Sequence, residues 1–258
     1  MGPRLVSILR ESPFLFGSSG LAFHAGGNTS PHLMISEDGN TVSIHGMLID
    51  RVQVTGDPLV YGDGAALRLI KVRSAGAKFV DGMQSTSVAL TLRSWERIFL
   101  GLKRYPTGED IRTVLYKTLI ANASLGAQTS SEQPDLERLY SSFRKQYAMP
   151  LGLRPNINIE QHDLENAQLY YLSMMDAAYG RRVFVSQHGY VGLCPFSTRR
   201  GDCIAAFNGG KTAYILRENH RNGKMNFTFV GEAYIHGFMD GEAFQDRSDT
   251  TDKEFAIV

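Results

Sequence analysis

Apolar and polar residues change period twice along this chain, and each change marks a change of element type. From residue 32 the pattern is that of strands. Residues 32–36 (HLMIS) and 41–54 (TVSIHGMLIDRVQV) flank Glu37-Asp38-Gly39-Asn40. Gly and Asn tolerate the positive φ of a hairpin turn, so the two runs predict an antiparallel pair. Val42, Ile44, Gly46 and Leu48 alternate, then Ile49 and Val52 break the period, which predicts a bulge or bend near Gly46. Residues 17–31, rich in Gly, Ser, His and Asn, read as irregular.

The period then becomes helical. Leu92, Trp95, Ile98, Phe99 and Leu102 place a helix over 87–104, and Tyr105-Pro106-Thr107-Gly108 ends it. The acids Glu109 and Asp110 suit a first helical turn, so a second helix is expected to start at Thr107 or Gly108 and run through Ile111, Val114, Leu115 and Leu119. The linker-like segment 124–134 follows, and further helices are expected over 135–147 and 160–178. Beyond 180 the pattern returns to strands at 181–187, 190–194, 202–208, 212–217 and 225–236, punctuated by Gly189, Gly201, Gly209-Gly210 and Asn222-Gly223. The whole predicts an α+β fold: an N-terminal β-hairpin, central helices, and a C-terminal small antiparallel barrel or strongly bent sheet. The expected organisation is one domain over 1–258, β-rich over 14–73, helical over 85–179, β-rich over 180–244, with a flexible tail over 245–258.

Composition narrows the function classes. With 258 residues, 43% hydrophobic and 21% charged, the chain reads as globular. A formal charge of +1 supplies no clustered excess of cations for nucleic acid. No apolar run has the length of a membrane span, and residues 1–10 lack a signal-peptide pattern, so a cytoplasmic protein is expected. On that reading the sequons at Asn28, Asn122 and Asn226 are chance matches. Cys194 and Cys203 are too few for a disulfide framework.

The final third carries a recognisable motif series. Gly180-Arg181-Arg182-Val183-Phe184 is followed by Gly189-Tyr190-Val191-Gly192-Leu193-Cys194-Pro195, then by Arg200-Gly201-Asp202-Cys203-Ile204, Ala213-Tyr214-Ile215-Leu216-Arg217 and the run from Phe229 to Glu242 (FVGEAYIHGFMDGE). In order and spacing this series resembles the C-terminal, non-effector region of fungal heterokaryon-incompatibility (HET) proteins. Weaker matches are Leu33 to Val52, with Gly46 and Asp50, and Lys117-Thr118-Leu119-Ile120-Ala121-Asn122. The effector-domain motifs associated in that family with triggering cell death do not occur in this sequence. The resemblance therefore implies a recognition or regulatory module without its own effector, acting through a protein partner or a small hydrophobic ligand. A decoy that binds full-length partners is a related reading.

The candidate chemistry leaves a second reading open. Arg217 and Glu232 fall on neighbouring expected strands, as an ion pair bracing the sheet or as an anchor and a general base. His236, Asp240 and Glu242 form H-x-x-x-D-x-E, in which the two acids suit turn capping better than metal ligation. The candidate binding residues are Asp202, Asp240, Glu242, Tyr171 and Met175: Asp202 also suits a turn-capping role, and Tyr171 and Met175 suit either a core or a ligand-binding helix face. Phe14, Phe16 and Phe23 suit a lid over such a face. Cys194 with His188 suggests a nucleophile but lacks a supporting motif. Gly209-Gly210-Lys211-Thr212 looks like the end of a phosphate loop, yet joins two strands, where a hairpin turn is expected. With no cofactor fingerprint, the enzymatic alternative is a cofactor-free cyclase or isomerase of fungal secondary metabolism, built on an apolar pocket with Arg217, Glu232 and His236 as its polar groups.

Overall fold

The computed structural model describes residues 23–60, 82–123, 125, 135–147, 160–221, 223–245 and 252–258. Phe14 and Phe16 lie outside them. Eight strands and four α-helices are described: β1 (Leu33–Ile35), β2 (Val42–Thr55), α1 (Gly82–Leu100), α2 (Ile111–Leu119), α3 (Leu136–Tyr147), α4 (Gln161–Ala178), β3 (Arg181–Ser186), β4 (Val191–Pro195), β5 (Cys203–Phe207), β6 (Ala213–Arg221), β7 (Lys224–Ile235) and β8 (Lys253–Ile257). The α+β expectation holds. The strands run β1-β2-β3-β4-β7-β6-β5, and β5 returns to β2, so the sheet closes into an irregular ring.

Strand β2 closes that ring by changing partners along its length. Gly46 to Arg51 pair antiparallel with β5, whereas Val52 to Thr55 pair with β3. The register slips between Leu48 and Asp50 and again between Val52 and Val54. The bulge expected near Gly46 thus falls just after it, between Leu48 and Asp50. Gly46 has a different reason to be glycine: a Cβ there would lie 2.3 Å from the Ala206 carbonyl oxygen.

The helices cover one side of the ring and share its core. Trp95 of α1 is buried and donates its indole N–H to the Asp57 carbonyl at 2.7 Å; a Cβ on Gly56, just beyond β2, would lie 2.5 Å from its ring. Tyr170 of α4 donates to the Tyr116 carbonyl of α2 at 2.8 Å, so a buried hydroxyl ties two helices together. Helix α2 begins later than the acids suggest. Asp110 is its N-cap, with Oδ2 accepting the N–H groups of Arg112 and Thr113, and Glu109 stays outside the helix.

The tail expectation needs correction. Within 245–258, residues 253–257 form β8, antiparallel to β2 from Val42 to Gly46 and parallel to β7 at Phe227. Phe255 and Ile257 are buried beside Ile44, Phe207 and Phe227, so the alternating apolar positions of KEFAI fill the open end of the ring. Phe255→Ala is expected to cost about 3–5 kcal/mol of stability, as for other buried Phe-to-Ala changes. Urea unfolding checks this, and an unchanged midpoint would restore the flexible tail.

Candidate functional site

The polar residues gather where the helical layer meets the end of the ring. Strand β7 ends at Ile235, and the next residue, His236, is buried with both ring nitrogens engaged. Its Nε2 lies 2.6 Å from Glu109 Oε2, and its Nδ1 lies 2.8 Å from the Tyr234 hydroxyl. Its carbonyl accepts from the Tyr105 hydroxyl at 2.7 Å. Glu109 in turn accepts from Lys117 Nζ at 2.6 Å. One histidine thereby joins β7 to the α1–α2 connection and, through Glu109, to α2.

Charge fixes the hydrogens. Burial alone pushes the Glu109 carboxyl up, but the bonds from His236 and Lys117 outweigh it and hold the group below its ordinary value. An ionised Glu109 only accepts, so the imidazole carries a hydrogen on Nε2 facing it, and Nδ1 shares a hydrogen bond with the Tyr234 hydroxyl. Burial holds the Tyr234 phenol far above its ordinary value, so it remains a hydroxyl. Glu109, His236 and Tyr234 thus form an interior carboxylate–imidazole–hydroxyl chain. Phe23 packs against Tyr234 with ring centroids 5.8 Å apart.

The remaining sequence candidates separate. Arg217 does not meet Glu232: its guanidinium bonds Asp202 through Nε at 2.9 Å and Nη2 at 2.8 Å, and Nη2 also donates to the Ser197 carbonyl. In the β6–β7 register Tyr214 lies opposite Glu232 and Thr228 lies opposite Arg217. The charge facing buried Glu232 is Arg181, whose guanidinium also reaches the Glu232 carbonyl at 3.4 Å. Asp202 does cap its turn, accepting the Arg199 N–H at 2.8 Å. Glu242 Oε2 accepts the Asp240 N–H at 2.7 Å, within the turn that opens the short 3₁₀ segment Glu242–Phe244. Among the described residues no three His, Cys, Asp or Glu side chains converge on a metal-sized site. Tyr171 and Met175 are buried, with Tyr171 stacked 4.7 Å from Tyr147 of α3, so that helix face is core.

Two weaker candidates settle as well. Cys194 lies opposite Arg182, at the far end of the β3–β4 hairpin from His188, and burial pushes its thiol up to about 12. It is a protonated core residue at neutral pH. Gly209 and Gly210 form a turn whose amides already donate, to Thr29 Oγ1 at 2.8 Å and to the Phe207 carbonyl at 2.9 Å. Those amides do not converge on a phosphate.

Sequence reasoning missed Glu109 as a site residue, because its partner lies 127 positions away. It also missed Asp50, whose only local signal was its place in the weaker motif.

The ring, the helical layer and the end-of-strand network describe a helix-backed, irregular antiparallel β-barrel domain. Residues 107–257 match the Het-6 beta-barrel domain family, and the chain belongs to that family. It is 32% identical over 85 residues to heterokaryon incompatibility protein 6, OR allele, of Neurospora crassa; the aligned stretch covers 33% of this chain and 12% of that protein. No solved structure matches the chain.

The network has a pH signature. Because the Glu109 pKa is lowered by folding, its contribution is present above the ordinary glutamate range near 4.5 and is lost as pH falls through its lower folded value. Urea unfolding from pH 7 down to pH 3 should therefore show a shallower acid limb for Glu109→Gln than for the wild type. His236→Ala should cost about 1–3 kcal/mol at pH 7, by leaving the Glu109 carboxylate and the Tyr234 hydroxyl without it. Superimposable acid limbs would remove Glu109 from the network.

Proposed function

We propose that the chain is a recognition module of the heterokaryon-incompatibility type, without a cell-death effector of its own, that presents its strand-connecting loops to a protein partner. The carrying observation is the family match over residues 107–257. The named relative, an incompatibility protein, supports the same reading. The polar inventory supports binding over turnover. Arg217 is held by Asp202, His236 by Glu109 and Tyr234, and Tyr171 and Met175 are core, so the groups expected to anchor a substrate serve internal bonds. That is the pattern of a rigid scaffold, in which loops vary while the ring supplies stability. A small hydrophobic ligand is the less favoured partner, and a cytoplasmic location follows from the proposed role.

Expression in a filamentous fungus tests the reading. A strain carrying the chain alone should grow normally. Forced heterokaryons between that strain and strains carrying full-length incompatibility proteins should show dye uptake and slowed growth in some pairings. Substituting the exposed side chains of the loops at 187–190 and 237–241, Gln187 and Asp240, should change which pairings respond with little change in melting temperature. Death of the singly transformed strain would show an intrinsic effector, and indifference in every pairing would remove the recognition role.

A further inference from the structure

His188 stands at the tip of the β3–β4 turn with its side chain 75% exposed, directly above an Asp50 side chain that is 2% exposed. Asp50 Oδ1 lies 3.0 Å from His188 Nδ1. Oδ2 accepts the His188 N–H at 2.9 Å, Oδ1 accepts the Arg51 N–H at 2.7 Å, and the Ser186 hydroxyl is a further donor. Burial alone pushes the Asp50 carboxyl up, but these bonds outweigh it and hold it below its ordinary value. Asp50 is therefore a fixed, buried carboxylate that only accepts.

That fixes the histidine tautomer. A neutral imidazole has one N–H, and at His188 it must sit on Nδ1, facing Asp50. The lone pair is then on Nε2, on the solvent side of a ring that the carboxylate holds in place. His162 is the internal contrast. Its Nδ1 lies 3.0 Å from the Asn166 side-chain nitrogen and 3.3 Å from the Arg138 guanidinium, both of which donate, so its hydrogen sits on Nε2. The structure thus holds two exposed histidines in opposite tautomers, one of them backed by a buried carboxylate. A carboxylate at Nδ1 raises the basicity of the opposite nitrogen and offsets the positive charge that the ring gains on reaction.

We propose that His188 Nε2 is a nucleophilic acceptor for a phosphoryl group delivered by a small phosphoramidate or acyl-phosphate donor. The Nε2 lone pair forms the N–P bond as the bond from phosphorus to the leaving group breaks. The leaving group departs with that electron pair and needs no further proton: phosphoramidate already carries an ammonium nitrogen, and an acyl phosphate releases a carboxylate. With phosphoramidate it leaves as ammonia. The Nδ1 hydrogen stays on the ring, donated to Asp50, whose negative charge offsets the ring's new positive charge. The modified turn then carries a new anion beside Pro106, against which Gly189 packs, in a connection that also bears the exposed Lys103 and Arg104. The site needs nothing from the incompatibility reading.

The test uses the full chain with potassium phosphoramidate as the probe, followed by peptide mass spectrometry and ³¹P NMR. A single acid-labile, alkali-stable phosphoryl group should appear on His188, at least about tenfold faster than on His162 or His220, and Asp50→Asn should slow it by at least about tenfold. Because Asp50 is buried and that variant could fold poorly, ¹⁵N NMR of the unmodified wild type reads the cause directly: Nδ1–H at His188 and Nε2–H at His162. Even labelling of all exposed histidines, an Nε2–H tautomer at His188, or full-speed labelling of a folded Asp50→Asn chain would each overturn the proposal.

Discussion

The double pairing of β2 is the constraint on which the other features depend. A strand 14 residues long bonds β5 through its middle and β3 through its end, and that change of partner turns an open sheet into a ring. Closure leaves fewer unpaired edges and an interior filled by Ile204, Ile215, Leu193 and their neighbours. The bulge that permits the change lies between Leu48 and Asp50. It leaves Asp50 at the point where β2 passes from β5 toward β3, under the β3–β4 turn. The feature that closes the ring therefore also sets the carboxylate beneath His188.

The second dependence is between layers. Helices pack on the ring mostly through apolar contacts, which fix distance better than register. Register comes from the directional bonds: Trp95 to the Asp57 carbonyl, Tyr105 to the His236 carbonyl, and Glu109 to the His236 ring. The first holds α1 against the residues just beyond β2, and the other two hold the α1–α2 connection against the end of β7. A loop held at one end of a closed ring is a pre-organised surface, which lowers the ordering cost of binding. This links the interior polar network to the proposed recognition role without asking any buried group to do chemistry.

Much of the fold was legible because local signals were strong. Glycine-punctuated strands after 180 and helical periodicity between 87 and 178 both found their elements, and the motif series led to the family. What escaped was set by tertiary structure. Strand β8 is five residues long with two charges, and becomes a strand only because β2 and β7 offer edges for Phe255 and Ile257 to bury against. The Arg217–Glu232 pairing failed on register, which strand adjacency cannot reveal: Glu232 lies opposite Tyr214, three residues before Arg217. Glu109 looked like a first-turn helix acid, yet Asp110 takes the cap and frees Glu109 for His236. Asp50 and His188, 138 positions apart, meet only because the ring closes.

Closure is most directly read by native-state amide hydrogen exchange along β2. If the ring is one cooperative unit, the amides of 46–51 that bond β5 and those of 52–55 that bond β3 will exchange with the same free energy, at the level of global unfolding. If instead the 52–55 amides exchange orders of magnitude faster than those of 46–51, the sheet is open at β3. The scaffold on which the site and the proposed function rest would then not exist as a closed ring.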